Sequence, residues 1–177
     1  MVDWSAANAP KLGKDSIWIA MAEGGGLAWV RNVATRTEAM AQIHSVAAET
    51  IAAGRKLLAG FDFAFGLPAG AAGQLGGEAS WRAVWRLFAE RIADAPDNRS
   101  NSFQAAARIN REMSGEGHDG PFWGHPHQHG GMYDGLAPTK PDFEGLEVAE
   151  FRHVERATKG AKSVWQLAYS GAVGRQT

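Results

Sequence analysis

The sequence predicts a mixed α/β fold, because three patterns near its start indicate strands followed by a helix and another strand. Residues 16–23 and 27–33 are apolar runs joined by three glycines, which is typical of an antiparallel hairpin, since glycine adopts the positive φ of a tight turn. Residues 35–54 then show the apolar spacing of a helix, and residues 57–67 return to a strand pattern. This order predicts a sheet with a crossover helix.

The first hairpin strand and the helix carry further local signals. Residues 16–23 place apolar side chains on both faces, so we expect a strand that is buried on both sides of the sheet. Thr35 followed three residues later by Glu38 is a capping box, and Gly54 is typical of the position after a helix end. A shorter strand is predicted over residues 2–6. Together these segments predict three strands, a helix and a fourth strand.

The second half of the chain predicts a helical, glycine- and proline-rich insertion over about 78–142. After a loop rich in alanine and glycine at 69–77, Ser80 is a capping residue for a helix with an apolar stripe. A further helix is predicted over about 103–113. Residues 115–141 contain four of the six histidines and follow neither helical nor strand periodicity, which predicts a long loop. The remaining tail contains segments whose type the sequence leaves open.

Length and composition narrow the class of protein. A chain of 177 residues, with 45% apolar and 21% charged residues, is typical of one globular domain, so we expect a single domain over 1–177. No run approaches the roughly 20 apolar residues of a membrane helix, and no basic and apolar leader is visible, which predicts a cytoplasmic protein without a membrane partner. The absence of cysteine excludes disulfides, cysteine-bound zinc and a thiol nucleophile. A net charge of −1 gives no overall attraction to nucleic acid.

Asp62 is the only charged residue in the apolar run 57–67. Phe61, Phe63 and Phe65 alternate on one face of the predicted strand, so Asp62 lies on the other face. A carboxylate buried at this position is costly unless something compensates its charge. A bound cation would do so, and so would backbone N–H donors or an arginine; the sequence leaves these alternatives open.

Asp3, in the short strand over 2–6, is the predicted partner of Asp62. A right-handed crossover places the strand after the helix parallel to the first strand and beside it. The two carboxylates would then meet at the carboxyl ends of their strands, where open α/β sheets place their sites. Carboxylates that converge on Mg²⁺ or Mn²⁺ activate water and stabilise a departing phosphate oxygen. Asp3 and Asp62 are therefore predicted to be metal ligands and catalytic residues.

Residues 2–6 and 60–68, with shorter segments at 152–155, 162–167 and 171–174, resemble a family of largely uncharacterised bacterial proteins described as predicted nucleases with a ribonuclease H fold. The resemblance implies a ribonuclease H-like mixed sheet, with a three-stranded antiparallel start, a crossover helix and a parallel fourth strand, and with helices packed on it. It also implies a metal-dependent phosphodiester site. Some similar sequences look like proteins labelled for molybdopterin guanine dinucleotide synthesis, although no glycine-rich nucleotidyltransferase signature is present.

Further residues are candidates for the same site. Glu155 is the preferred third acid, and Arg152 and Lys162 beside it are expected to contact phosphate; the alternative for these residues is a solvated charge cluster. Ser5 is expected to contact substrate, because actin-like ATPases and sugar kinases place an Asp and a small hydroxyl residue on their first hairpin. Glu38 and Glu49 are weaker candidates for metal ligands. The capping box explains the presence of Glu38, and Glu49 is explained as an exposed residue on the surface of the helix.

The histidine-rich loop offers a second metal hypothesis. His125, His127 and His129 alternate, and in an extended segment they would point the same way and bind Zn²⁺; the alternative is a flexible surface loop. Phe122 and Trp123 beside them would either stack a base or lie in the core.

Three functions therefore compete. The first is a metal-dependent phosphodiester hydrolase that acts on nucleic acid or a nucleotide. The second is an actin-like or kinase-type phosphoryl-transfer domain, although residues 6–14 lack a dense glycine cradle. The third is a non-enzymatic protein. We also expect the chain to be truncated at both ends, so that the strand over 57–67 either exposes an apolar edge that promotes a homodimer or pairs with residues 146–154.

Overall fold

The structure, a computed structural model, describes residues 1–114, 120–126, 133–170 and 172–176. The chain divides into two compact units, one formed by Met1–Phe63 with Asp94–Ser100 and the other by Ala64–Ala93 with Asn101–Thr177. Strands and helices are both present, so the prediction of a mixed α/β fold is confirmed. None of the helices in the described ranges is long and apolar enough to cross a membrane.

A three-stranded antiparallel sheet forms the centre of the first unit. Its strands are β1 (Val2–Asp3), β2 (Ile17–Glu23) and β3 (Gly26–Val33), and they lie in the order β1-β2-β3. Ile17 pairs with Val33 at one end of the hairpin, and Glu23 pairs with Gly26 at the turn. The glycine-rich turn and the two apolar runs therefore form the predicted hairpin.

Only one face of this sheet is buried, so the expectation that β2 is covered on both sides was wrong. Ile17 is 1% exposed, whereas Trp18, the next residue, is 40% exposed. The buried face joins Val2, Ile17, Ile19, Val33 and Ala39 in one apolar core. Alternating side chains point to opposite faces of a strand, and the helix that follows β3 covers one of those faces.

That helix, α1 (Arg36–Ala52), begins where its capping residues predict. The Thr35 hydroxyl accepts a hydrogen bond from the Glu38 N–H at 3.1 Å, and the chain leaves the helix through Gly54 at φ +67. Ala39 and the half-buried Ile43 pack on the core of the first unit. The helix thus lies on the face opposite to Trp18.

The predicted fourth strand over 57–67 does not form as a strand. A single parallel bridge joins Val2 to Phe61: the Val2 N–H donates to the Gly60 carbonyl at 2.7 Å, and the Asp62 N–H donates to the Val2 carbonyl at 3.2 Å. The direction of this pairing agrees with the prediction, but its length does not. With β1 only two residues long, the neighbouring segment finds few ladder partners, and Leu58 is left 94% exposed.

The second unit is mainly helical. Its described helices are α2 (Ala71–Gly76), α3 (Trp81–Arg91), α4 (Ser102–Ser114), a 3₁₀ turn (Phe143–Gly145) and α5 (His153–Ala157). The Ser80 hydroxyl caps α3 by accepting from the Arg82 N–H, as predicted, and α4 matches the predicted helix. The short helix α2 lies where a loop was expected, and residues 146–154 contain no strand.

The core of the second unit includes part of the long segment that was predicted as a loop. Trp165 is fully buried, and Phe122 meets its ring edge-on with 5.0 Å between the centroids. Asn110 on α4 is also fully buried; its amide donates to the carbonyls of Phe122 and Gly135, both at 2.8 Å. These bonds satisfy backbone groups that would otherwise be buried without partners.

Candidate functional site

Asp3 and Asp62 lie side by side on the exposed face of the sheet in the first unit. Asp3 ends β1, and the bridge between Val2 and Phe61 places Asp62 level with it. Val2 and Phe61 belong to the core on the covered face, so the next residue in each segment points to the opposite face. The Asp62 carboxyl group lies near enough to Asp3 to raise the pKa of that residue. The structure therefore brings together the two acids that the sequence singled out.

Both carboxyl groups are exposed, so the expectation of a buried Asp62 was wrong. The backbone N–H of Trp4 donates a hydrogen bond to Asp62 Oδ1 at 2.8 Å, which was one of the alternatives considered for this residue. An ionised carboxylate accepts at about four lone-pair positions, of which this bond occupies one. It fixes the orientation of the Asp62 side chain beside Asp3.

The pKa of Asp3 is raised above its ordinary value of 3.8. The largest cause is the partial loss of water around the carboxyl group, followed by the negative charge of Asp62 and by the hydrogen bond between the two side chains. Because Asp3 is largely exposed, water weakens all three effects. The charge of Asp62 thus makes the ionisation of Asp3 less favourable.

Replacing Asp3 by asparagine should stabilise the protein at pH 7 and not at pH 3. A raised pKa in the folded state means that Asp3 contributes its full stability below the unfolded-state value of 3.8 and loses it as the pH rises through the folded value. The gain at pH 7 should stay below about 1 kcal/mol because the side chain is exposed. Urea denaturation of Asp3→Asn and the parent protein at the two pH values measures it.

Asp97→Asn is the control for this experiment. Hydrogen bonds from Arg99 lower the pKa of Asp97, so its replacement should not stabilise the protein at pH 7. A gain for Asp3→Asn that is the same at both pH values would contradict the electrostatic cause.

The loop that follows Asp3 is held by side chains that sequence reasoning did not identify. The Arg36 guanidinium donates to the carbonyls of Ser5 and Ala7 at 3.2 and 2.9 Å and forms two hydrogen bonds with the Asp94 carboxylate. The side chain of Arg36 is only 11% exposed. Nothing in the sequence links Arg36 to Asp94, which lies 58 residues further along the chain.

Asn98 completes this support. It is 2% exposed, its backbone is left-handed at φ +69, and its amide donates to the carbonyls of Ala9 and Ala34 at 3.3 and 3.1 Å. The Asn98 Oδ1 accepts from the backbone N–H of Arg36 at 2.8 Å. The run Pro96-Asp97-Asn98 is a turn signal, and asparagine tolerates this conformation, so the turn was predictable although its contacts were not.

Ser5 is tied into the same loop. Its hydroxyl donates to the Asp15 carbonyl at 3.1 Å and accepts from the Ala7 N–H at 3.2 Å. These two bonds account for its position without a substrate, and its predicted contact with substrate stays a prediction.

Glu155, Arg152 and Lys162 belong to the second unit, and the first two form a structural pair there. The Glu155 carboxylate, 9% exposed, accepts from the Arg152 backbone N–H at 2.7 Å and from its guanidinium at 2.9 and 2.7 Å. Glu155 thus caps the start of α5, and this ion pair replaces the solvated charge cluster considered as the alternative. Lys162 is exposed.

The other candidate ligands lie elsewhere. Glu38 and Glu49 are on α1, which covers the opposite face of the sheet; Glu38 accepts from the Ala34 N–H and Glu49 from the Ser45 hydroxyl. His125 is 4% exposed and not on a surface loop, and its carbonyl accepts from the Tyr169 hydroxyl. His127 and His129 lie outside the described residues.

Among the residues that the structure describes, no group of three or more acidic or histidine side chains is placed to hold a metal ion. A cation at Asp3 and Asp62 would find two carboxylate ligands among the described residues. Comparison with known proteins finds no protein-family model, no curated protein and no solved structure that matches this chain.

Proposed function

We propose that the chain is a metal-dependent phosphodiester hydrolase whose site is the pair Asp3 and Asp62. The observation that carries the proposal is the position of two exposed acidic residues side by side on one face of the sheet. Two neighbouring carboxylates repel each other when both are ionised, and a divalent cation between them turns this repulsion into attraction. The exposed position leaves room for an extended substrate.

The donor set fits Mg²⁺ or Mn²⁺. These hard cations bind carboxylate oxygen and keep several water molecules, and one or two protein carboxylates with substrate phosphate are their usual ligands. When bound, such a cation would activate water and offset negative charge on the phosphate. With two protein carboxylates as ligands, such a cation would keep coordination positions for these oxygens.

Neighbouring residues would hold the two carboxylates in position. The Trp4 N–H holds one oxygen of Asp62, and Arg36 holds the carbonyls of the loop that follows Asp3. Asp3 must lose its proton before a cation binds, and its raised pKa means that binding should weaken as the pH falls.

Mn²⁺ should raise the melting temperature of the protein, and Asp62→Asn should remove the rise. A ligand at 100 times its dissociation constant stabilises the form that binds it by about 2.7 kcal/mol, which corresponds to roughly 5–10 °C for a chain of this size. Asparagine keeps the acceptor for the Trp4 N–H but loses the negative charge. Thermal melts with and without Mn²⁺ measure the difference.

Glu49→Gln is the matched control, because Glu49 is an exposed acid on the helix that covers the other face; it should keep the full Mn²⁺ effect. If Asp62→Asn keeps the Mn²⁺ effect as well, the proposed site is wrong.

Hydrolysis of bis(p-nitrophenyl) phosphate then distinguishes an enzyme from a protein that only binds metal. We expect activity with Mn²⁺ that Asp3→Asn and Asp62→Asn each lower by about 100-fold or more.

A further inference from the structure

Trp18 stands directly beside the carboxylate pair. It is the register partner of Asp3 across the antiparallel strands β1 and β2, so the two side chains share one face. Side chains in such opposed positions have Cβ atoms about 4.5–5.5 Å apart. The indole is nevertheless 40% exposed, which leaves part of a large aromatic surface in contact with solvent next to two acids.

The ring of Trp18 is held in place despite its exposure. Its indole N–H donates to the Gly13 carbonyl at 3.1 Å, and the same carbonyl accepts from the Ser16 hydroxyl at 2.6 Å. Asn32 locks this turn: its Oδ1 accepts from the Gly13 N–H, and its amide donates to the Ser16 hydroxyl, both at 2.7 Å. An exposed aromatic ring with a fixed orientation loses little conformational entropy when a ligand binds to it.

Next to Trp18, on the side away from the turn at Gly13, the exposed face of the sheet is apolar. Ala20 and Val30 are register partners two residues further along the strands, so they lie on the same face as Trp18. Val30 is 49% exposed. The exposed face therefore combines a fixed aromatic ring, small and β-branched neighbours, and a carboxylate pair at one end.

We propose that Trp18 is a stacking platform for a base of single-stranded nucleic acid whose adjoining phosphate is held at the cation of Asp3 and Asp62. The proposal rests on the proposed function, because two carboxylates repel a phosphate unless a cation lies between them. Every base has an aromatic face that stacks on an indole, whereas in a duplex that face is covered by the neighbouring base pairs. With a net charge of −1, the chain has no overall attraction to nucleic acid, so binding should require the divalent cation.

The test is the affinity for a short fluorescent oligothymidylate in the presence of Mn²⁺, compared with an abasic oligomer of the same length. We expect the oligothymidylate to bind more tightly than the abasic oligomer and to lose its affinity when Mn²⁺ is removed. Trp18→Leu should weaken oligothymidylate binding by about tenfold, a typical effect for one stacked base, and should leave the abasic oligomer unaffected. Trp18→Phe keeps an aromatic face and should retain most of the affinity.

Trp81→Leu is the matched control, because Trp81 is a tryptophan of the second unit that is 59% exposed; it should bind like the parent protein. A Mn²⁺-dependent rise in melting temperature in Trp18→Leu shows that this variant is folded and keeps the carboxylate site. Equal binding of the two oligomers, or unchanged binding in Trp18→Leu, would overturn the platform while the metal site stands. If Mn²⁺ does not stabilise the parent protein, the metal site fails and the platform fails with it.

Discussion

Trp165→Ala is expected to lower the free energy of unfolding by about 3–5 kcal/mol, the usual cost of truncating a large buried aromatic residue. Trp165 is fully buried in the core of the second unit, where its ring contacts Phe122 and its indole N–H donates to the Ala149 carbonyl at 2.9 Å. The alanine leaves a cavity, and the half-buried Ala149 carbonyl loses its donor. Urea denaturation followed by circular dichroism measures the loss.

Two further variants calibrate this result. Trp165→Phe should cost less than Trp165→Ala, because phenylalanine refills part of the space but still lacks the N–H. Trp81→Ala removes a tryptophan that is 59% exposed and whose ring carries the Arg82 guanidinium at 4.5 Å, so it should cost less than about 1 kcal/mol. Equal losses for Trp165→Ala and Trp81→Ala would mean that burial does not determine the effect.

Arg36→Ala is expected to cost about 2–4 kcal/mol and to weaken Mn²⁺ binding as well. Removing one partner of a buried ion pair is strongly destabilising, at about 3–5 kcal/mol, but Asp94 is 39% exposed, so water recovers part of the loss. The carbonyls of Ser5 and Ala7 lose their donor at the same time. Because this loop follows Asp3, its loosening should spread the two carboxylates apart and reduce the Mn²⁺-dependent rise in melting temperature.

The matched control is Arg108→Ala. Arg108 pairs with Glu112 one helical turn away and is 62% exposed, so its replacement should cost less than about 0.5 kcal/mol. It should also leave the effect of Mn²⁺ unchanged. An Arg36→Ala variant that loses stability but keeps the full Mn²⁺ effect would show that the loop does not position Asp3.

The elements with local signals could be predicted from the sequence. The glycine-rich turn predicts the hairpin. The capping residues Thr35 and Ser80, each followed by apolar residues at helical spacing, predict α1 and α3 close to their observed bounds. These signals act within a few residues of the chain, because a cap or a tight turn depends on the conformation and hydrogen bonds of its immediate neighbours. The single acids in two strand-like segments also indicated the pair Asp3 and Asp62, since a right-handed crossover places those segments side by side.

Exposure and long-range contacts depended on the tertiary structure. An apolar run such as 57–67 forms a strand only where it finds a partner, and the two residues of β1 provide for a single bridge. Whether Trp18 and Asp62 are buried depends on which face of the sheet α1 covers. The alternation of side chains along a strand assigns residues to two faces but does not show which face is covered.

The sequence by itself therefore determined the mixed α/β class, the hairpin with its helix, and the two acids that meet. Only the tertiary structure decided that Glu155 is held by Arg152 in a helix cap and that Arg36 supports the loop beside Asp3. It also placed the exposed ring of Trp18 opposite Asp3. The physical reason is that the hydrogen bonds and the burial of a side chain depend on residues that are distant in the sequence. Packing brings these residues into contact, and a local sequence pattern does not predict which ones meet.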